Sequence, residues 1–104
     1  MVNNRPAILL VEDDASLRTM LSLSLRRAGY PTMTAANGLE ALDLLETRPI
    51  GCMVTDGRME PMDGFELSRR AKTLRPELRI AMISAVFTEL DAEDSPVERV
   101  FEKP

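Results

Sequence analysis

An α/β architecture, a doubly wound parallel sheet with helices on both faces, is what this sequence predicts. Three patterns lead there. Apolar runs of four or five residues recur, too short for helices and bounded by turn formers. Between them lie segments with apolar residues at helical spacing. The two kinds alternate, and strands alternating with helices build parallel sheets through right-handed crossovers.

The first run, "AILLV" (residues 7–11), is apolar throughout, as befits a strand buried on both faces. Asp14 is placed to cap a helix running to Ala28, with Leu17, Leu21, Leu25 and Ala28 on one face and Gly29 to stop it. Leu23 falls off that face. Residues 32–35 make a short second strand. "NGLE" (37–40) reads as a capping box, opening a helix whose Leu42 and Leu45 point inward. Pro49 and Gly51 break the chain before a third strand at 52–55, which runs straight into Asp56. "DGFE" (63–66) is a second capping box; its helix carries Leu67, Ala71 and Leu74 on one face, and Pro76 ends it. Residues 80–83 make the fourth strand. The stretch 88–94 is acidic and short, Pro96 follows, and Val100-Phe101 makes a brief fifth strand.

Bulk properties narrow the function. A chain of 104 residues is one domain, large enough for a core without disulfide or metal staples. A net charge of −4 argues against a nucleic-acid or anionic-membrane surface in this segment. Residues 1–6 lead into only five apolar residues, too few for a signal peptide or a membrane span. The single Cys52 has no internal partner, which points to a reducing, cytoplasmic compartment and a buried, inert thiol. The seven methionines suit gaps in the core. With no histidine in the chain, a Ser-His-Asp triad, a histidine base and most transition-metal sites are excluded.

In an open parallel sheet the site forms beyond the carboxyl ends of the strands. Glu12-Asp13-Asp14 stand at the end of strand one, Asp56 at strand three, Ser84 at strand four and Glu102-Lys103 at strand five. Clustered carboxylates repel unless a cation neutralises them, and an oxygen-only set suits Mg²⁺. One screened carboxylate can then attack a phosphoryl group, with lysine and a hydroxyl contacting the phosphoryl oxygens. Asp14 and Asp63 read better as helix caps than as site residues. The bland reading of Glu12 and Asp13 is a solvated loop, and that of Ser84 a hydroxyl bonded to nearby backbone.

"ILLVEDD" (8–14), "VTDGRMEPMDG" (54–64), "MISA" (82–85) and "EKP" (102–104), taken in order, resemble the response-regulator receiver domains of two-component signalling, over about residues 7–104. The resemblance implies a flavodoxin-like five-stranded sheet in the order 2-1-3-4-5. By motif position it implies Asp56 as phosphoacceptor, Glu12 and Asp13 as the acidic pair of the Mg²⁺ site, and the Arg58 carbonyl as a further protein ligand. Ser84 takes the place of the switch hydroxyl, and Lys103 that of the phosphate-contacting lysine, with Lys103-Pro104 expected cis.

Four departures from the family pattern stand out. Glu60 occupies the usual proline position, with Pro61 one residue later, and puts an extra carboxylate beside the site. Gly57 replaces an apolar residue after the acceptor. Val100 stands where an aromatic switch residue is common, unless Phe101 substitutes. The span from Ser84 to Lys103 is short, which predicts a short or irregular fourth helix, and the chain reads as a receiver domain (1–104) truncated before its fifth helix. The implied role is a phosphoacceptor switch, not an enzyme beyond promoting its own phosphorylation and dephosphorylation. It would be served by a sensor histidine kinase or a histidine phosphotransfer protein, and would act on an effector domain in cis or a protein partner in trans, with a dimer also compatible. A pseudo-receiver that binds partners without phosphorylation is the alternative; a Mg²⁺-dependent phosphohydrolase with an aspartate nucleophile is a third and weaker reading.

Overall fold

The computed structural model describes residues 5–104; residues 1–4, with which the reading of the chain start begins, lie outside them. The elements follow as β1 (Ala7–Val11), α1 (Ala15–Arg27), β2 (Thr32–Ala35), α2 (Gly38–Thr47), β3 (Ile50–Asp56), α3 (Gly64–Leu74), β4 (Arg79–Ser84) and β5 (Arg99–Glu102). All neighbouring strands pair in parallel, in the order β2-β1-β3-β4-β5. The site-bearing ends therefore lie side by side at one rim of the sheet.

Helix starts are fixed by the side chains that the sequence offers for them. Asp14, Asn37 and Asp63 each accept the backbone N–H three residues on, at 3.1, 3.0 and 2.9 Å. Each satisfies an amide that the first turn would otherwise leave unpaired. Gly29, at φ +96°, lies just past the end of α1 in the left-handed region that favours glycine.

Registry rows alternate across the sheet. Leu9, Met53 and Ile80 form one row, and Val11, Thr55 and Met82 another; all six are fully buried. On that face Ala41 and Leu45 of α2 and Leu67 and Ala71 of α3 complete the core. The opposite face, where α1 packs on β1 and β2, is covered less: Leu10 is buried, but Ile8, Cys52, Val54 and Ile83 are only half-buried.

Several expectations are refined and others corrected. None of Leu17, Leu21 and Leu25 is fully buried, and Ala28 is exposed just beyond the helix, because α1 lies on the thinly covered face. Leu23 is exposed. Leu74 is exposed too, since it is the last residue of α3 and extends past the packed turns. Cys52 is half-buried rather than buried, although desolvation still raises its thiol pKa. Strand three begins earlier than expected, at Ile50. Between Ala7 and Ile8 the β1–β3 register slips by one residue, so Gly51 is absorbed as an irregularity inside the strand. Where a short or irregular fourth helix was expected, residues 89–94 form successive turns, an irregular segment in its place. The recorded cis bond is Glu60–Pro61, not Lys103–Pro104.

Candidate functional site

Parallel pairing carries Val11 and Asp56 to the same rim, and the chain beyond them builds the site. Glu12 follows β1 directly, and its backbone N–H is held by the Ala35 carbonyl at 3.1 Å. Its own carbonyl accepts Arg18 Nη1 at 2.8 Å, while its carboxylate accepts the Asp14 N–H at 3.1 Å. That network fixes a side chain only 1% exposed. Asp56, 4% exposed, ends β3, and Thr55 Oγ1 donates to its carbonyl at 2.9 Å.

Carboxylate oxygens of Glu12, Asp13 and Asp56 lie within 4.8 Å of one another, with Asp13 exposed at the rim. Lys103 bridges the two buried members, its Nζ 3.1 Å from Glu12 Oε1 and 3.2 Å from Asp56 Oδ1. Burial raises both the Glu12 and the Asp56 pKa, and Lys103 pulls each back only in part. Burial acts to lower the lysine pKa, but the two carboxylates outweigh it and leave the ammonium above its usual range. Three convergent carboxylates with oxygen donors alone fit a hard divalent cation and not a soft one.

The β4 end approaches from the other side. The Lys103 N–H donates to the Ser84 carbonyl at 3.0 Å, and the Gly57 N–H to the Ile83 carbonyl at 3.1 Å. Ser84 Oγ accepts the N–H groups of Val86 and Phe87, at 3.1 and 2.9 Å. The bland reading of this hydroxyl, a partner for nearby backbone, thus describes its contacts correctly and leaves its O–H as a donor.

A cavity of about 580 Å³ opens beside the cluster, lined among others by Asp13, Arg58, Glu60, Asp63, Glu66 and Phe87. Glu60 is exposed at this opening, so the extra carboxylate adds negative charge at the mouth rather than within the buried pair. Asp63 is occupied as the α3 cap. Phe101 is half exposed beneath the Arg99 guanidinium and does not supply an inward ring. The ring at the site is Phe87, which sequence reasoning missed. Its only signal was Gly57, whose lack of a side chain leaves the space that the ring fills.

Residues 8–100 match the family model described as the response regulator receiver domain. The chain belongs to that family. Receiver domains are signalling modules of two-component systems rather than conventional enzymes. Among relatives, this receiver domain is 38% identical over 100 residues to the response regulator receiver protein CpdR of Brucella abortus, covering 93% of this chain and 83% of that one. It is 34% identical to sporulation initiation phosphotransferase F of Bacillus subtilis, covering 88% of this chain and 71% of that one. Other relatives are longer, and the receiver domain spans only 38% of one transcriptional regulator and 23% of another. The crystal structure of a response regulator receiver protein from Pseudomonas putida superposes with a TM-score of 0.88 at 32% identity, covering 99% of this chain and 89% of that one. Among the described residues no helix is long and apolar enough to cross a membrane.

Proposed function

We propose that this receiver domain is a phosphoacceptor switch, with Asp56 taking a phosphoryl group from a phosphohistidine on a partner kinase or phosphotransfer protein. The observation that carries the reading is the buried Asp56 carboxylate, paired with Lys103 inside a three-carboxylate cluster that borders an open cavity. In the transfer an Asp56 oxygen attacks phosphorus, the P–N bond breaks, and its electron pair leaves on the imidazole nitrogen. The product is an acyl phosphate.

Glu12, Asp13, Asp56 and the Arg58 carbonyl would hold Mg²⁺. When bound, the ion supplies charge neutralisation for the carboxylates and the transferring phosphoryl group. Lys103 supports the reading as a point charge within reach of an oxygen on Asp56, and Ser84 as a hydroxyl whose acceptor positions are already filled and whose proton is left to donate. The added charge draws on both groups and shifts the β4–β5 surface between two states, which an effector domain in cis or a partner in trans can read.

Glu60 at the cavity mouth favours a second reading, a receiver that binds partners without being phosphorylated, because another negative charge there opposes an incoming phosphoryl group. A phosphohydrolase would need a further acid or base beside Asp56, and Asp63 is already committed to capping α3. Incubation with acetyl phosphate or a phosphorylated kinase in Mg²⁺, followed by intact-mass measurement, tests the switch. A phosphoryl adduct that Asp56→Asn abolishes supports it; no adduct from any donor leaves the binding module.

A further inference from the structure

Glycine at position 57 leaves a space that another part of the chain uses. A Cβ at that position would lie 2.7 Å from Phe87 Cδ2 and 3.0 Å from Ser84 Oγ. The Phe87 ring therefore rests directly on the backbone that follows Asp56. The same ring meets Phe65 of α3 edge-on, with ring centroids 5.0 Å apart and planes at 66°. The same residue donates its N–H to Ser84 Oγ at 2.9 Å, beside the 3.1 Å bond from Val86. Phe87 also lines both the cavity beside the acidic cluster and a second groove of about 260 Å³ toward Val100 and Glu102.

We propose that Phe87 is a positioning residue for Ser84: its ring, seated in the space at Gly57 and braced by Phe65, holds the loop whose amides orient the Ser84 hydroxyl next to Gly57, the residue after Asp56. This rests on the phosphoacceptor reading given above. The physical case is one of constraint. A serine hydroxyl has one rotor, and two N–H donors on its acceptor positions leave the proton a restricted direction. Those donors belong to an irregular segment with no helix behind it, so ring packing must supply the rigidity that a helix would have given. Gly57 is then required by close approach: a methyl group there would meet the ring at a distance that real Cβ atoms do not tolerate.

The test is a comparison of phosphoryl uptake from acetyl phosphate in Mg²⁺ among the wild type, Phe87→Ala, Ser84→Ala and the double variant, with Phe87→Tyr as the ring-retaining control. Phe87→Ala is expected to slow uptake by roughly five- to a hundred-fold, the range set by misplacing a group by up to an ångström. In the Ser84→Ala background the same change is expected to do nothing further, and Phe87→Tyr to restore the rate. Gly57→Ala should act in the same direction as Phe87→Ala. Amide exchange without any phosphoryl donor supplies a second readout: Phe87→Ala should speed exchange at Val86 while β1 and β3 stay protected. Equal slowing by Phe87→Ala with and without Ser84 overturns the proposal, as does a Ser84→Ala protein that works at the wild-type rate. Should alanine at 87 prevent folding, Phe87→Leu repeats each comparison. If the wild type accepts no phosphoryl group, the functional reading fails separately. The exchange at Val86 then decides this inference alone, and unchanged protection overturns it.

Discussion

Lys103 Nζ lies 3.2 Å from Asp56 Oδ1, so the chain that leaves β5 supplies the counter-charge for the carboxylate that ends β3. Removing it leaves two buried carboxylates facing each other. Lys103→Ala is expected to destabilise the metal-free protein at neutral pH by about 2–3 kcal/mol, the lower side of what breaking a buried pair costs because the lysine is partly exposed. Thermal melts in chelator check the loss, and added Mg²⁺ should recover part of it. A melting temperature equal to the wild type would show that the ammonium does not serve as the counter-charge.

Asp56 carries the opposite expectation. Burial sets its folded-state pKa above the ordinary 3.8, against the pull of Lys103. A raised carboxyl pKa contributes stability below the unfolded value and loses it as pH rises through the folded one. The ionised carboxylate therefore costs stability at neutral pH. In chelator, Asp56→Asn should melt higher than the wild type at pH 7, by on the order of a few degrees. The gap should close as the pH falls toward 3.8. An asparagine variant less stable at pH 7 would contradict this.

Gly64 is fixed by close approach rather than by backbone conformation. A Cβ there would run into the Asp56 carbonyl and lie 2.9 Å from Met82 Cε, while the Gly64 N–H holds the Gly57 carbonyl at 2.8 Å. Gly64→Ala should cost about 2 kcal/mol or more, as overpacking in a tight core does. Because the clash falls on the Asp56 backbone, Mg²⁺ affinity measured by calorimetry should fall as well. Stability lost with metal binding intact would place the strain elsewhere.

Arg75 anchors three carbonyls at once. Its Nη1 donates to Leu45 and Arg48 at 2.7 and 3.2 Å, and its Nη2 to Ile50 at 3.0 Å, tying the end of α3 to the end of α2 and the start of β3. Arg75→Ala is expected to cost about 2 kcal/mol by stripping charged donors from part-buried carbonyls. Arg75→Lys should restore only a fraction, since a point charge cannot serve three acceptors in a fixed fork. Urea denaturation of the two variants measures the difference; full rescue by lysine would show that charge alone matters.

Legibility in the sequence followed the range of each interaction. Asp14, Asn37 and Asp63 were readable as caps because their partners lie three residues away. The acidic cluster and Lys103 could be brought together because parallel topology sends every strand end to one rim. What escaped depends on partners distant in the chain. Arg75 meets carbonyls 25 to 30 residues away, with no periodicity to announce it. Phe87 depends on Gly57 and Phe65, two residues on separate elements. Leu17, Leu21, Leu25 and Ala28 read as one face from their spacing, but how much of a face is covered depends on what packs opposite it, and spacing does not record that.

The strand that delivers Lys103 is also the least held. β5 has four residues, pairs only with β4, and buries none of its side chains fully. Edge segments of this kind open locally while the rest of a domain stays folded. Each such fraying event would withdraw the ammonium from Glu12 and Asp56 and leave their charges unscreened, so opening of β5 would change the electrostatic state of the acidic centre. A partner that clamps β5 would hold that charge balance in place without touching a carboxylate.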